Sequence, residues 1–175
     1  MKYLLLVFFI CATLYSSQAK IYHFLQEEYQ NSLTAWESLN LKNYEYTVAH
    51  FLEGTIGRTK IQVRNGVVVR RTFVESNFFD YPGKYVSFWD EKTPEEIGSR
   101  HSNYPYETFA PAFTMDEVYV YCQNEILTQD LTQSQYENGR ASVDVFSNGV
   151  ISKVAFYPNF WENLVFIESI KKKCI

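Results

Sequence analysis

Few residues in this chain carry reactive chemistry, and they are scattered. The histidines are His23, His50 and His101. His101, flanked by Ser99 and Ser102, is the one best placed for acid–base work, because an imidazole changes charge near neutral pH. A hydrolase would use it with a nearby acid. His23 falls at the start of a helical pattern and His50 inside a strand pattern, where both read as structural or surface groups. No His-Glu-x-x-His occurs, no Cys or His spacing suits zinc, and no Gly-x-Ser-x-Gly elbow presents a nucleophile. Asp90, Glu91, Glu95 and Glu96 lack the glycine and spacing of a calcium loop. Thr93-Pro94-Glu95-Glu96 reads instead as the first turn of a short helix, with Thr93 as its cap. No cofactor is implied.

The remaining chemistry is that of binding. Lys60, Arg64 and Arg71 recur along two strand patterns, and the stretch from Ser76 to Phe113 is crowded with aromatics, among them Trp89, Tyr104 and Tyr106. Cations and aromatics beside polar groups are what contact patches favour. The formal charge of −4 argues against nucleic acid, whose phosphates demand a basic surface. Lys171-Lys172-Lys173 reads as a solvated terminal charge run.

The address is legible at the N-terminus. Met1 to Ala19 has one Lys2, an apolar run from Tyr3 to Leu14, and Ser17-Gln18-Ala19 in the small-x-small pattern of a secretory cleavage site. The run is shorter than the roughly 20 residues a bilayer span needs. Residues 1–19 are therefore read as a signal peptide, and 20–175 as one secreted domain without a membrane span, long enough to bury about two-thirds of its unfolded surface. The mature chain keeps Cys122 and Cys174, and an oxidising compartment predicts a disulfide between them, the alternative being one buried thiol in a helix and one loose thiol at the end. Closing that interval would restrict the unfolded chain by roughly 4 kcal/mol. No Asn-x-Ser/Thr acceptor is present, so no N-linked glycan is expected.

The elements that position these residues follow from periodicity. Leu25, Tyr29, Leu33, Trp36 and Leu39 recur at helical spacing, predicting a helix from about Tyr22 to Leu39. Tyr44 to Leu52 alternates as a strand, and Gly54 and Gly57 mark a turn. Ile61 to Val69 holds Asn65-Gly66 between apolar runs, the strongest short-range hairpin signal. A two-residue loop there sets Arg64 opposite Val67, Val63 opposite Val68, Gln62 opposite Val69 and Ile61 opposite Arg70. That register gathers Lys60, Arg64 and Arg71 on one face as a basic stripe. Asn148-Gly149 repeats the device, putting Val143, Val145, Val150, Val154 and Phe156 on one side and Asp144 across from Lys153. Thr114-Met115-Asp116-Glu117 is a capping box opening a second helix, whose apolar stripe is Met115, Val118, Tyr119, Cys122 and Ile126. Leu164 to Ile170 is a closing strand. The aromatic segment between the halves reads as a packed connector or a contact surface.

Trp36 followed by Asn43-Tyr44-x-Tyr46, then Val63-Arg64-Asn65-Gly66-Val67-Val68, then Thr114-Met115-Asp116-Glu117-Val118-Tyr119 and the strands about Asn148-Gly149 resemble a family of small secreted and lipoprotein domains of unknown function, known chiefly from bacteria. The resemblance implies a fold class and no activity. Gln62-Val63-Arg64-Asn65-Gly66 and Pro158 to Trp161 are also similar to the two inhibitory hairpins of cystatins, with the valine one position early.

The expected architecture is α+β: an antiparallel sheet of about five to six strands built from two Asn-Gly hairpins, packed against two amphipathic helices. The expected function is that of a secreted, non-enzymatic domain binding an unknown extracellular protein or small ligand. Cysteine-protease inhibition and a hydrolase using His101 are the alternatives.

Overall fold

A computed structural model of the chain describes residues 25–52, 54–77, 85–99, 109–127, 141–156 and 164–173. The signal sequence, His23, His101, Tyr104, Tyr106, Pro158 to Trp161 and Cys174 lie outside the described residues. The fold is α+β. Helix α1 covers 25–39, followed by β1 (Tyr44–Leu52), β2 (Thr55–Arg64), β3 (Val67–Asn77) and β4 (Tyr85–Glu91). Helix α2 (Met115–Tyr121) continues as a π-helical turn over Cys122–Ile126, and β5 (Ala141–Val145), β6 (Ile151–Phe156) and β7 (Leu164–Lys172) complete the chain.

The strands form one antiparallel sheet of seven, in the order β4-β3-β2-β1-β7-β6-β5, where five to six were expected. Two meanders, β1–β4 and β5–β7, are joined where the last strand pairs with the first. The strand beyond expectation is β4, inside the stretch read as a connector. Its Tyr-Val-Ser-Phe-Trp core has the β-branched and aromatic content of a strand, and it pairs with β3 along Phe73–Trp89 and Arg71–Glu91.

Both helices lie on one face. Leu25, Tyr29 and Trp36 of α1 and Met115, Val118, Tyr119 and Cys122 of the second helical segment are buried against Tyr44, Tyr46, Val48, Ile61, Val63, Val154 and Ile167. Leu39, expected in the α1 stripe, is 38% exposed, whereas Ser32, outside that expected stripe, is buried with its hydroxyl 2.8 Å from that of Tyr119. The capping box forms as expected, Thr114 accepting from the Glu117 N–H while the Glu117 carboxylate accepts from Thr114. Two tyrosines of β1 then pin the start of α2. The Met115 N–H donates to the Tyr44 hydroxyl at 2.9 Å, and the Tyr46 hydroxyl donates to the Phe113 carbonyl at 2.5 Å. The Trp36 indole N–H reaches Asp116 at 2.6 Å, tying the helices together.

Turn chemistry explains the hairpin tip. Asn65 (φ 52°) and Gly66 (φ 75°) both take positive φ, as a two-residue turn matched to strand twist requires. One residue further, the register departs from expectation: Val63 faces Val68, but Gln62 faces Arg70 and Ile61 faces Arg71. Val69 is thus an extra residue, a β-bulge, and every later side chain of β3 changes face. Gly57 does not turn the chain; it sits within β2 opposite His50. In the second hairpin Asp144 faces Lys153, but a register shift then sets Val145 against Ile151, and Val145 is 46% exposed rather than inward.

Candidate functional site

The bulge at Val69 separates the three cations expected to form one stripe. Lys60 and Arg64 stay on the open face of the sheet, while Arg71 turns into the core, 1% exposed. There its guanidinium makes a paired contact with Glu91, Nε to Oε2 at 2.8 Å and Nη2 to Oε1 at 2.9 Å, and Nη1 donates to the Ala110 carbonyl at 3.1 Å. It lies 4.9 Å from the Trp89 ring centroid and 5.6 Å from that of Phe109. The Gly98 N–H completes Glu91 at 3.2 Å, and the Ala110 N–H donates to Thr59 at 2.8 Å. Trp89, expected at a contact surface, also stacks on Phe73. These residues form a clamp that straps the 109–113 segment to the sheet, with Arg71 and Glu91 buried and Trp89 and Phe109 half-buried.

The open face is where partner-accessible chemistry collects. Alternation sends Glu45 and Thr47 of β1, Arg58, Lys60, Gln62 and Arg64 of β2, Arg70, Thr72 and Val74 of β3, and Phe88 and Asp90 of β4 to the side away from the helices. Cross-strand pairing sets Lys171, Glu45, Gln62 and Arg70 in one row across four strands, and Ser169, Thr47, Lys60, Thr72 and Asp90 in the next. Glu45 sits at the centre of the cations. Its carboxylate lies 3.6 Å from Lys60, 3.2 Å from Lys173 and 3.0 Å from the Gln62 amide. Burial pushes this carboxyl up, but Lys173, Lys60 and Gln62 together bring it below its ordinary value. At the sheet edge Arg70 grips Asp90 through Nε at 2.9 Å and Nη2 at 2.7 Å, and Lys92 lies 3.0 Å away. The Arg70 contact outweighs burial, and with Lys92 it holds the Asp90 carboxyl down at about 2.

Four cations, Lys60, Lys173, Arg70 and Lys92, contact the carboxylates of Glu45 and Asp90, and Lys171 and Arg64 stand on the same face, a formal +4 over these eight residues within a chain of −4. Towards the other end of the same strands the face turns apolar. Phe88 is 64% and Phe51 43% exposed, Val74 lies opposite Phe88 and Ile56 opposite Phe51, and Phe51 meets Phe166 edge-on at 6.1 Å. The Arg58–Glu168 pair, 2.9 Å apart, stands between the two regions.

Period-2 alternation in Phe88-Trp89-Asp90 and Arg58-Thr59-Lys60 could have announced Arg58 and Phe88. The bulge that exchanges Arg70 for Arg71 leaves no such mark.

The other expected chemistry is placed elsewhere. Cys122 is a buried free thiol, pushed up to about 12 by burial. Glu96 accepts from the Lys92 and Thr93 N–H groups in a turn with Thr93 as its cap. Among the described residues no cluster of three His, Cys, Asp or Glu is positioned to hold a metal ion. A pocket between β1, the 109–113 segment and α2, lined by Tyr46, Val48, Ala110, Pro111, Phe113, Val118 and Tyr121, has a volume of about 20 Å³, far below the roughly 300 Å³ of small-molecule sites. Val63, the valine of the cystatin-like stretch, is 1% exposed. No described helix is long and apolar enough to cross a membrane. Comparison of the chain with family models, with curated proteins and with solved structures finds no match to any of them.

Proposed function

We infer that this chain is a non-catalytic binding domain that acts outside the cell and contacts its partner through the open face of the sheet. The observation that carries this reading is the collection of six cations against two carboxylates on that face, four of them ion-paired with Glu45 and Asp90 and Arg64 and Lys171 exposed on the same side, against the negative charge of the whole chain. A surface so polarised steers a partner of opposite sign and orients it on arrival. The strands that carry Lys60, Arg64, Arg70 and Lys171 are each paired on both sides, so these cations stand on a rigid support. The signal-like residues 1–19 support the extracellular address, and the resemblance to small secreted and lipoprotein domains is compatible with it.

The test is retention of a partner from native extracellular fluid by immobilised protein, compared with a Lys60→Glu/Arg64→Glu/Lys171→Glu variant. Wild-type protein retains a partner at low salt and releases it at high salt. The variant retains none, while its Tm stays within a few degrees of wild type because all three side chains are exposed. Equal retention by both proteins overturns the reading.

A further inference from the structure

We propose that the partner surface is an extended acidic protein segment that lies along the strands, its carboxylates against Lys60, Arg64, Arg70 and Lys171 and its apolar residues against Val74 and Phe88. This rests on the reading above and adds the chemistry of the occupant. The charge of the patch requires an anion. The form of that anion follows from what continues beyond the cations. Along β2 the face runs from Arg64 through Lys60 and Arg58 to Ile56, eight residue steps or roughly 27 Å, and over that length it passes from cationic to apolar.

A sulfated glycan has charge throughout and nothing to cover Phe88, which is 64% exposed. An anionic bilayer is uniform along its plane, whereas a twisted sheet turns its successive strands out of any plane. A polypeptide alone changes from acidic to apolar within the length of one face. About ten residues in extended form span it. The carboxylates already present, Glu45 and Asp90, lie within the cation set and engage Lys60, Lys173, Arg70 and Lys92. Arg64 and Lys171 stand exposed beside them as the groups an incoming carboxylate meets first.

The probe is a synthetic peptide of about ten residues with Glu at alternate positions of one half, Leu at alternate positions of the other and Thr between. Its affinity is compared with that of a shuffled peptide of the same composition and an all-Glu/Thr peptide, by fluorescence anisotropy with the full chain. The segregated peptide binds roughly tenfold more tightly than either control. Lys60→Glu/Arg64→Glu weakens it by roughly tenfold, and Phe88→Ser weakens it by roughly tenfold while leaving the all-Glu/Thr peptide unchanged, as removal of one buried aromatic contact requires. Equal binding of the three peptides overturns the inference. So does binding of a heparin fragment, or of vesicles of phosphatidylcholine and phosphatidylserine in equal parts, at least as tight as that of the segregated peptide. Where retention from native fluid depends on the patch but the peptides do not discriminate, the binding reading stands and the acidic segment falls. Where retention is also independent of the patch, both fall.

Discussion

A guanidinium sealed beneath aromatic rings is stable only while its partners stay in place. Arg71 and Glu91 are 1% and 5% exposed at their side chains, so removal of either leaves the other charged and dry. Arg71→Met should therefore cost about 3–5 kcal/mol. The double variant Arg71→Met/Glu91→Leu removes both charges together and should recover a large part of that loss, measured by urea unfolding. Equal losses in the single and double variants would mean that the pair stabilises by packing alone. His50 makes a second residue-scale prediction, with pH as the variable. Burial pushes its imidazole down from 6.5 to about 4, so the unfolded chain binds the proton before the folded chain does. Its contribution is complete above pH 6.5 and is lost as pH falls from there through 4, with a limiting slope of about 1.4 kcal/mol per pH unit. His50→Gln should flatten urea midpoints across that window.

Between residues and the whole stand the contacts that fasten elements to one another. The Tyr119 hydroxyl joins three of them: it donates to the Ser32 carbonyl of α1 at 3.0 Å, lies 2.8 Å from the Ser32 hydroxyl and accepts from the Ile151 N–H of β6 at 3.1 Å. Tyr119→Phe keeps the ring but strands the buried Ile151 N–H and takes the partner from the buried Ser32 hydroxyl, while the Ser32 carbonyl keeps its place in the helical ladder, a loss of about 1–3 kcal/mol. A loss in that range, with unchanged far-ultraviolet circular dichroism, identifies the hydroxyl as a fastener between helix and sheet; no loss removes that role. Elements of this kind are legible in sequence to the extent that their cause is local. Thr114 and Glu117 announce the start of α2 because both halves of a capping box lie within four residues. Asn65-Gly66 announces a turn because both residues tolerate positive φ. The bulge at Val69 has no local signature. It is settled by whether Arg70 or Arg71 finds a buried carboxylate, and Glu91 lies 20 residues away in sequence. The same dependence on a distant partner hid β4, since Tyr85 to Glu91 becomes a strand by pairing with β3. It also misassigned the basic stripe, which kept Lys60 and Arg64 but owed its third member to Arg70.

At the scale of the molecule, one core serves both meanders. Trp36 packs edge-on against Tyr44, 5.0 Å between ring centroids, and Cys122, fully buried, lies in the same cluster as Val143, Ile151 and Val154 of the C-terminal strands. Neither half of the sheet can lift from the helices without opening that cluster, so the described core should unfold as a unit. Cys122 reports on this directly, because the thiolate is the reactive form and burial denies the thiol both ionisation and access. A thiol reagent should label the peptide containing Cys122 in native protein at the unfolded-state rate multiplied by the fraction globally unfolded. With stability in the usual range of about 5–15 kcal/mol, that is at least a thousandfold slower than in denaturant. Low urea should accelerate labelling with the full equilibrium dependence on urea, because the opening that exposes Cys122 is the global one. Fast labelling with little urea dependence would mean that α2 and its π-helical extension open separately from the sheet. A denatured chain with no free thiol at Cys122 would instead mean that it is bonded to Cys174, as the compartment implied by the signal-like N-terminus predicts. The end of β7 would then have to be tethered to the helical layer. Its last described contact is the Lys173 N–H to the Asn43 carbonyl at 3.1 Å, at the start of β1.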